Sequence, residues 1–184
     1  QHQRPGRADC SGQRGASGNT VRTSSRAGTQ PALPANINSF TNDMLNDKWD
    51  TQARLDIRVY YEDTDAGGIV YYANYLKFFE RARTEWLRNL GVNQSDVAEQ
   101  NQRLFVVKKV EIQYLKPARL DDLISVRSRI TQLGSATIHF EQGALRGGEL
   151  LCQSTIQIVC VDANTLRPSK LDSDLRTLLE KVQD

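Results

Sequence analysis

At 184 residues with 39% apolar residues and a formal net charge of +2, the chain is long enough for one domain with a buried core and a further segment. The basic excess sits at one end. Residues 1–43 hold Arg4, Arg7, Arg14, Arg22 and Arg26 against Asp9 and Asp43, a surplus of three that leaves residues 44–184 at −1; a folded part with no single-sign surplus is not expected to bind nucleic acid.

The first 43 residues are rich in Gly, Ser and Pro and contain almost no apolar run, a composition that builds no core. Met44 is the single methionine and marks the change of composition. The domain is therefore expected over 44–184, with 1–43 a disordered or non-native tail; a targeting peptide is the competing reading. No apolar run approaches the roughly 18 residues that a membrane helix needs, so no transmembrane segment is expected and a soluble, cytoplasmic protein is.

The first ordered stretch reads as a strand running to Glu62, with Ile57, Val59 and Tyr61 on one face and Arg58, Tyr60 and Glu62 on the other. Asp63, Thr64 and Asp65 then favour local hydrogen bonds, and Gly67-Gly68 frees the backbone, so a loop follows. Asn74 reads as the N-cap of a helix whose Leu76, Phe79, Arg83, Trp86, Leu87 and Leu90 form one buried stripe, with Gly91 closing it. Five aromatics between Tyr71 and Phe79 point its first turns into a core.

Val92 to Gln102 reads as a connection in which Asn93, Ser95 and Asp96 can start a short helical turn. The pattern then becomes β. One strand runs from Leu104 to Pro117, with a change of phase near Lys108-Lys109 that permits a bulge. A second has Ile124, Val126, Ser128 and Ile130 inward, and a third has Ala136, Ile138 and Phe140. Gly147-Gly148 marks a hairpin turn into a last strand over Glu149 to Val161, apolar on both faces late in its course. Leu171, Leu175, Leu178, Leu179 and Val182 form a docking helix after Pro168. Five strands, mostly joined by short turns, with one long helix after the first make an α+β fold whose mainly antiparallel sheet wraps that helix.

Cys152 and Cys160 lie on one strand, about 26 Å apart at about 3.3 Å per residue, too far to bridge, and read as buried thiols. No cluster has metal-ligand spacing, and no cofactor motif is present.

Asp65 is the leading candidate for chemistry. It stands beside a glycine pair and shortly before a helix start, where free N–H groups can polarise a carbonyl oxygen while the carboxylate attacks an acyl carbon or positions water. The alternative is that Asp65, like Asp63, caps the loop. Glu80 is a second carboxylate within reach or a helix-face charge paired with nearby arginines. Tyr71 and Tyr72 either line a pocket or fill the core, and Tyr72 brings a backbone N–H near the helix start.

YEDTDAGGIVYYANYLKFFERARTEWL, followed by FVVKKVEIQYLKPARLDD, resembles the hot-dog-fold acyl-CoA thioesterases of the 4-hydroxybenzoyl-CoA thioesterase family, in particular the bacterial branch associated with the Tol-Pal system. The likeness covers roughly Ala53 to Pro168. It implies a five-stranded sheet around one helix, sheets of two subunits joined edge to edge as a homodimer or homotetramer, and hydrolysis of acyl-CoA or acyl carrier protein thioesters without a cofactor. It further implies Asp65 as nucleophile or general base, the Tyr72 amide as oxyanion donor, and an acyl site shaped by the loop around Gly67 and Gly68. Tyr71 and Glu80 are added as substrate-binding candidates. Tyr72 departs from the His usual in that branch, which keeps open a non-catalytic acyl-thioester-binding or envelope-associated role. Lys109, Arg119, Arg127 and Arg129 are candidates for nucleotide phosphates.

Overall fold

The computed structural model describes residues 53–183, so the expected boundary at Met44 and the tail before it lie outside the described residues. Five strands, β1 (Arg54–Arg58), β2 (Arg103–Tyr114), β3 (Leu123–Leu133), β4 (Thr137–Arg146) and β5 (Glu149–Asp162), form one sheet in the order β1-β3-β4-β5-β2. Every neighbouring pair is antiparallel. The helices are α1 (Asn74–Asn89), α2 (Gln94–Asn101) and α3 (Ser173–Glu180).

The α+β reading and the five strands are borne out, and α1 is wrapped by the sheet as the hot-dog architecture requires. Ile124, Val126, Ser128 and Ile130 of β3 are buried in strict alternation, because a pleated strand turns successive side chains to opposite faces. Ile138 and Phe140 of β4 and Cys152, Ser154, Ile156, Ile158 and Cys160 of β5 follow suit. The turn between β4 and β5 is the two-residue kind: Arg146 pairs with Glu149, and Gly147 and Gly148 have φ of +56° and +86°, values that a side chain would strain. The phase change in β2 is a break of register between Val107 and Lys109.

α1 lies against β1, β3 and β4 and buries Tyr75, Phe78, Phe79, Ala82, Arg83, Trp86 and Leu87. The stripe differs from expectation at its start, since Leu76 is 39% exposed and Tyr75 takes the inward position. The edge of the Trp86 ring meets the Phe140 ring on β4, with centroids 5.9 Å apart. At the other end of α1 the Gly91 amide bonds Arg88 O and the Val92 amide bonds Leu87 O, with Gly91 at φ +83°, the paired closure that favours glycine. α2 starts on Asn93, whose side chain accepts from the Ser95 amide, and α3 buries Leu175 and Leu179.

Two local expectations are corrected. The first strand ends at Arg58, not Glu62, because Asp63 Oδ2 takes the Tyr60 amide at 2.9 Å and curls Tyr61–Asp63 into a turn of 3-10 helix, leaving Tyr61 81% exposed. Asn74 is not the N-cap: that place belongs to Ala73, and the Asn74 side chain turns away from the helix amides. No helix among the described residues is long and apolar enough to cross a membrane.

Burial raises Tyr75 and Cys152 from ordinary values of 10.0 and 9.0 to about 12. Both groups are neutral in the folded protein and prefer to stay so, hence their contribution is complete below pH 9 and is lost as pH rises toward 12. The melting temperature is expected to decline across this window, and to decline less in a Cys152→Ala variant; thermal melts by circular dichroism at a series of pH values check it.

Candidate functional site

The segment from Asp63 to Asn74 folds back on itself and is fastened at both ends. Asp63 O accepts the Tyr71 amide at 2.8 Å and Asn74 Nδ2 at 2.9 Å, so a buried side chain at the helix entry holds the start of the loop. Inside that clamp Asp65 N donates to Ile69 O at 2.9 Å and Gly68 N to Asp65 O at 3.0 Å, with Gly68 at φ +71°. The outer side is tied to the turn before β3, where Val70 N donates to Ala118 O at 2.9 Å and Ile69 bridges Arg119.

Asp65 stands exposed at the tip of this loop. Its Oδ1 accepts the Gly67 amide at 2.8 Å, which is the capping role, while Oδ2 has no partner among the described residues. A Cβ on Gly67 would come 3.0 Å from that Oδ1, so glycine there lets the carboxylate lie close to the backbone. Capping thus leaves the carboxylate half free: one oxygen is fixed and the other has no partner among the described residues.

The helix entry carries free backbone donors. Asn74 N bonds Tyr71 O and Leu76 N bonds Ala73 O, but the amides of Tyr72 and Ala73 donate to no acceptor among the described residues. They are the unspent donors of a helix start, where the dipole is positive. The carbonyl of Tyr72 is held from the other side by the Tyr114 hydroxyl at 3.0 Å. Rings support the same point: Tyr71 and Tyr72 lie 4.6 Å apart, and Tyr114 meets Tyr72 and Tyr75 edge-on at 6.2 and 5.8 Å. Tyr72 is 60% exposed, so its side chain lines surface and not core. The side-chain hydrogen bond with Tyr72 holds the Tyr71 phenol above its ordinary pKa.

Gly67, Gly68, Asp65, Tyr71 and Tyr72 are therefore gathered in one clamped segment. Glu80 is not tied to it. It sits roughly 9 Å farther along the helix axis than Asn74, at 1.5 Å per residue, and accepts the Thr84 hydroxyl at 2.8 Å. Of the phosphate candidates, Arg129 is engaged by Glu141 and Lys109 by Glu111, each at 2.6 Å. Two contributors escaped the reading of the sequence, Asn74 as a loop clamp and Tyr114, while Asp63 caps the loop as expected but does so by reaching back to the Tyr60 amide. Tyr114 follows Val110 and Ile112 in the two-residue alternation of β2, which was the available signal.

The Asn74→Ala variant leaves the buried Asp63 carbonyl with the Tyr71 amide alone. A loss of about 1–3 kcal/mol is expected in urea unfolding, and faster amide exchange at Asp65, Gly67 and Gly68 than in the parent protein is expected by NMR.

Comparison with known proteins places the chain in a wider group. Residues 59–179 match the model of the Thioesterase-like superfamily. The chain is 46% identical over 127 residues to the acyl-CoA thioesterase YbgC of Haemophilus influenzae, covering 69% of this chain and 93% of that protein. It is 40% identical to the acyl-CoA thioester hydrolase YbgC of Escherichia coli O6:H1, covering 68% of this chain and 93% of that one. Among solved structures it is similar to a probable thioesterase from Bartonella henselae, at 36% identity and a TM-score of 0.62, over 65% of this chain and 98% of that one.

Proposed function

The chain belongs to the Thioesterase-like superfamily and is a thioesterase, and on that premise we propose that it hydrolyses acyl-CoA thioesters to a carboxylic acid and CoA, with Asp65 and the Tyr72 amide as the acting groups. The observation that carries this reading is the union, in one clamped segment, of a carboxylate with an unpartnered oxygen and a helix start with unspent amides.

The thioester carbonyl oxygen lies against the Tyr72 amide, which stabilises the negative charge that develops as the carbon becomes tetrahedral. Either Asp65 takes a proton from a water that attacks that carbon, and the C–S bond breaks to give the acid and a CoA thiolate that takes up the proton, or Asp65 attacks the carbon itself, the CoA thiolate leaves and is protonated from solvent, and a water then hydrolyses the acyl–aspartyl anhydride to the acid and free Asp65. Tyr72 acts through its backbone, so the phenol in place of the His usual in the Tol-Pal-associated branch is compatible with hydrolysis. Tyr114 holds the next peptide group, between Tyr72 and Ala73, through Tyr72 O and so steadies the helix entry beside that amide.

An exposed carboxylate is poorly suited to work on a thioester unless a second surface shelters it. We propose that a second copy of the chain provides it by pairing at β2, the sheet's 12-residue border strand, which exposes Val106, Val107 and Tyr114. The opposite border, β1, has five residues, and its Arg54, Asp56 and Arg58 are exposed. We place the enzyme in the cytoplasm, where CoA thioesters are made and used.

The test is release of free thiol from short, long and aromatic acyl-CoAs. Asp65→Asn is expected to lower kcat by about a hundredfold or more, and turnover equal to that of the parent would refute the role of Asp65. Tyr72→Phe is expected to leave kcat within about threefold, because the amide stays. Tyr114→Phe is expected to lower kcat roughly fivefold with little change in KM, the worth of one hydrogen bond of about 1 kcal/mol.

A further inference from the structure

Beneath the middle of α1 the fold leaves a cavity of about 90 Å³, several times the roughly 10–15 Å³ that one water requires. Its floor is apolar, made by Phe105, Ile138, Phe140 and Ile158 from the sheet. Its one cation is Arg83, which is 6% exposed.

Arg83 is poorly matched by the protein around it. Among the described residues its guanidinium makes a single hydrogen bond, from Nη1 to Gln142 Oε1 at 2.5 Å, and that acceptor is neutral. Gln142 is itself held, donating to Phe79 O at 3.0 Å and Ser128 Oγ at 2.7 Å, so it cannot turn to offer more. Cζ stands 5.9 Å from the centre of the Phe140 ring. The guanidinium has five N–H donors, most of them unused here.

Glu80 is the carboxylate whose charge favours the protonated Arg83, yet burial outweighs it and brings the Arg83 pKa down to about 10. No ion pair joins the two among the described residues. Glu80 instead takes the Thr84 hydroxyl, and Thr84 Oγ1 accepts Gln94 Nε2 at 3.0 Å, so these three side chains form a hydrogen-bonded rim. A desolvated cation to which no anion is bonded is costly to keep, and a ligand that brings a carboxylate into contact relieves that cost.

We propose that this cavity is a binding site for a small monocarboxylate, its oxygens on the Arg83 guanidinium and its short alkyl part on Phe105, Ile138 and Ile158. The planar fork of a guanidinium matches a carboxylate in two parallel hydrogen bonds. The apolar floor selects an alkyl tail over an inorganic anion, and the negative Glu80 on the rim disfavours a dianion. The site does not involve Asp65 and stands or falls independently of the proposed reaction.

Isothermal titration of the full chain with butyrate, and with butyramide as its uncharged counterpart, tests the assignment. Butyrate is expected to saturate one site per chain and to bind roughly tenfold or more tightly than butyramide. Arg83→Met is expected to weaken butyrate about tenfold or more. Because that change also strips Gln142 of a partner, Val107→Phe serves as the second variant: it fills the cavity from the β2 side with Arg83 intact, is compared with the parent at equal oligomeric state because Val107 also lies on the border proposed for pairing, and is expected to weaken butyrate to a similar degree. Equal affinity for butyrate and butyramide, no saturable binding of butyrate, or unchanged binding in Val107→Phe would each overturn the proposal.

Discussion

The burial of the inward face of α1 is the constraint on which the remainder rests. Tyr75, Phe78, Phe79, Ala82, Trp86 and Leu87 leave water together, and side chains of the larger kinds each contribute about 1.5–3 kcal/mol when fully buried. The sheet curves around this face because it has nowhere else to bury its own Ile124, Val126, Ile130, Ile138 and Phe140. With the helix axis held in this way, the position of its first turn is settled by packing far from the loop that precedes it. A loop hydrogen-bonded to Asn74 therefore inherits the rigidity of the core.

That arrangement explains how an exposed loop is held in one shape. Asp65 has no buried partner of its own, but its neighbours on either side are tied to the helix entry and to the turn at Ala118. Sites built on regular elements are held more closely than sites on free loops, and this loop borrows the property through backbone hydrogen bonds. The polar group Arg83, Gln142 and Ser128 shows the opposite economy: hydrogen bonds inside the core fix the face of α1 against β3 and β4, where apolar packing alone would allow rotation.

Features governed by neighbours in sequence were legible without a structure. The alternation in β3, the Gly147-Gly148 turn, the bulge in β2 and the closure at Gly91 all follow from local period or from residues suited to positive φ. Features governed by partners far along the chain were not. The end of β1 depends on Asp63 reaching back to Tyr60, and the phase at the start of α1 depends on which aromatic the sheet accepts, so Tyr75 displaced Leu76. Asn74 has the composition of a cap, and only the fold shows that Asp63 O, eleven residues earlier, claims its side chain. The pairing of Ser128 with Gln142 lay in reach: both are polar residues on inward faces, and the strand register sets them opposite each other.

The two borders of the sheet differ in a way that bears on how large an assembly can grow. The long border offers a run of ladder groups to a second copy, while the short one is studded with charge. Two copies paired as proposed, about a two-fold axis, would use up their receptive borders on each other and turn their guarded borders outward. Growth then has no further site for strand addition, and the same asymmetry that invites one companion bars the sheet from lengthening into a fibre.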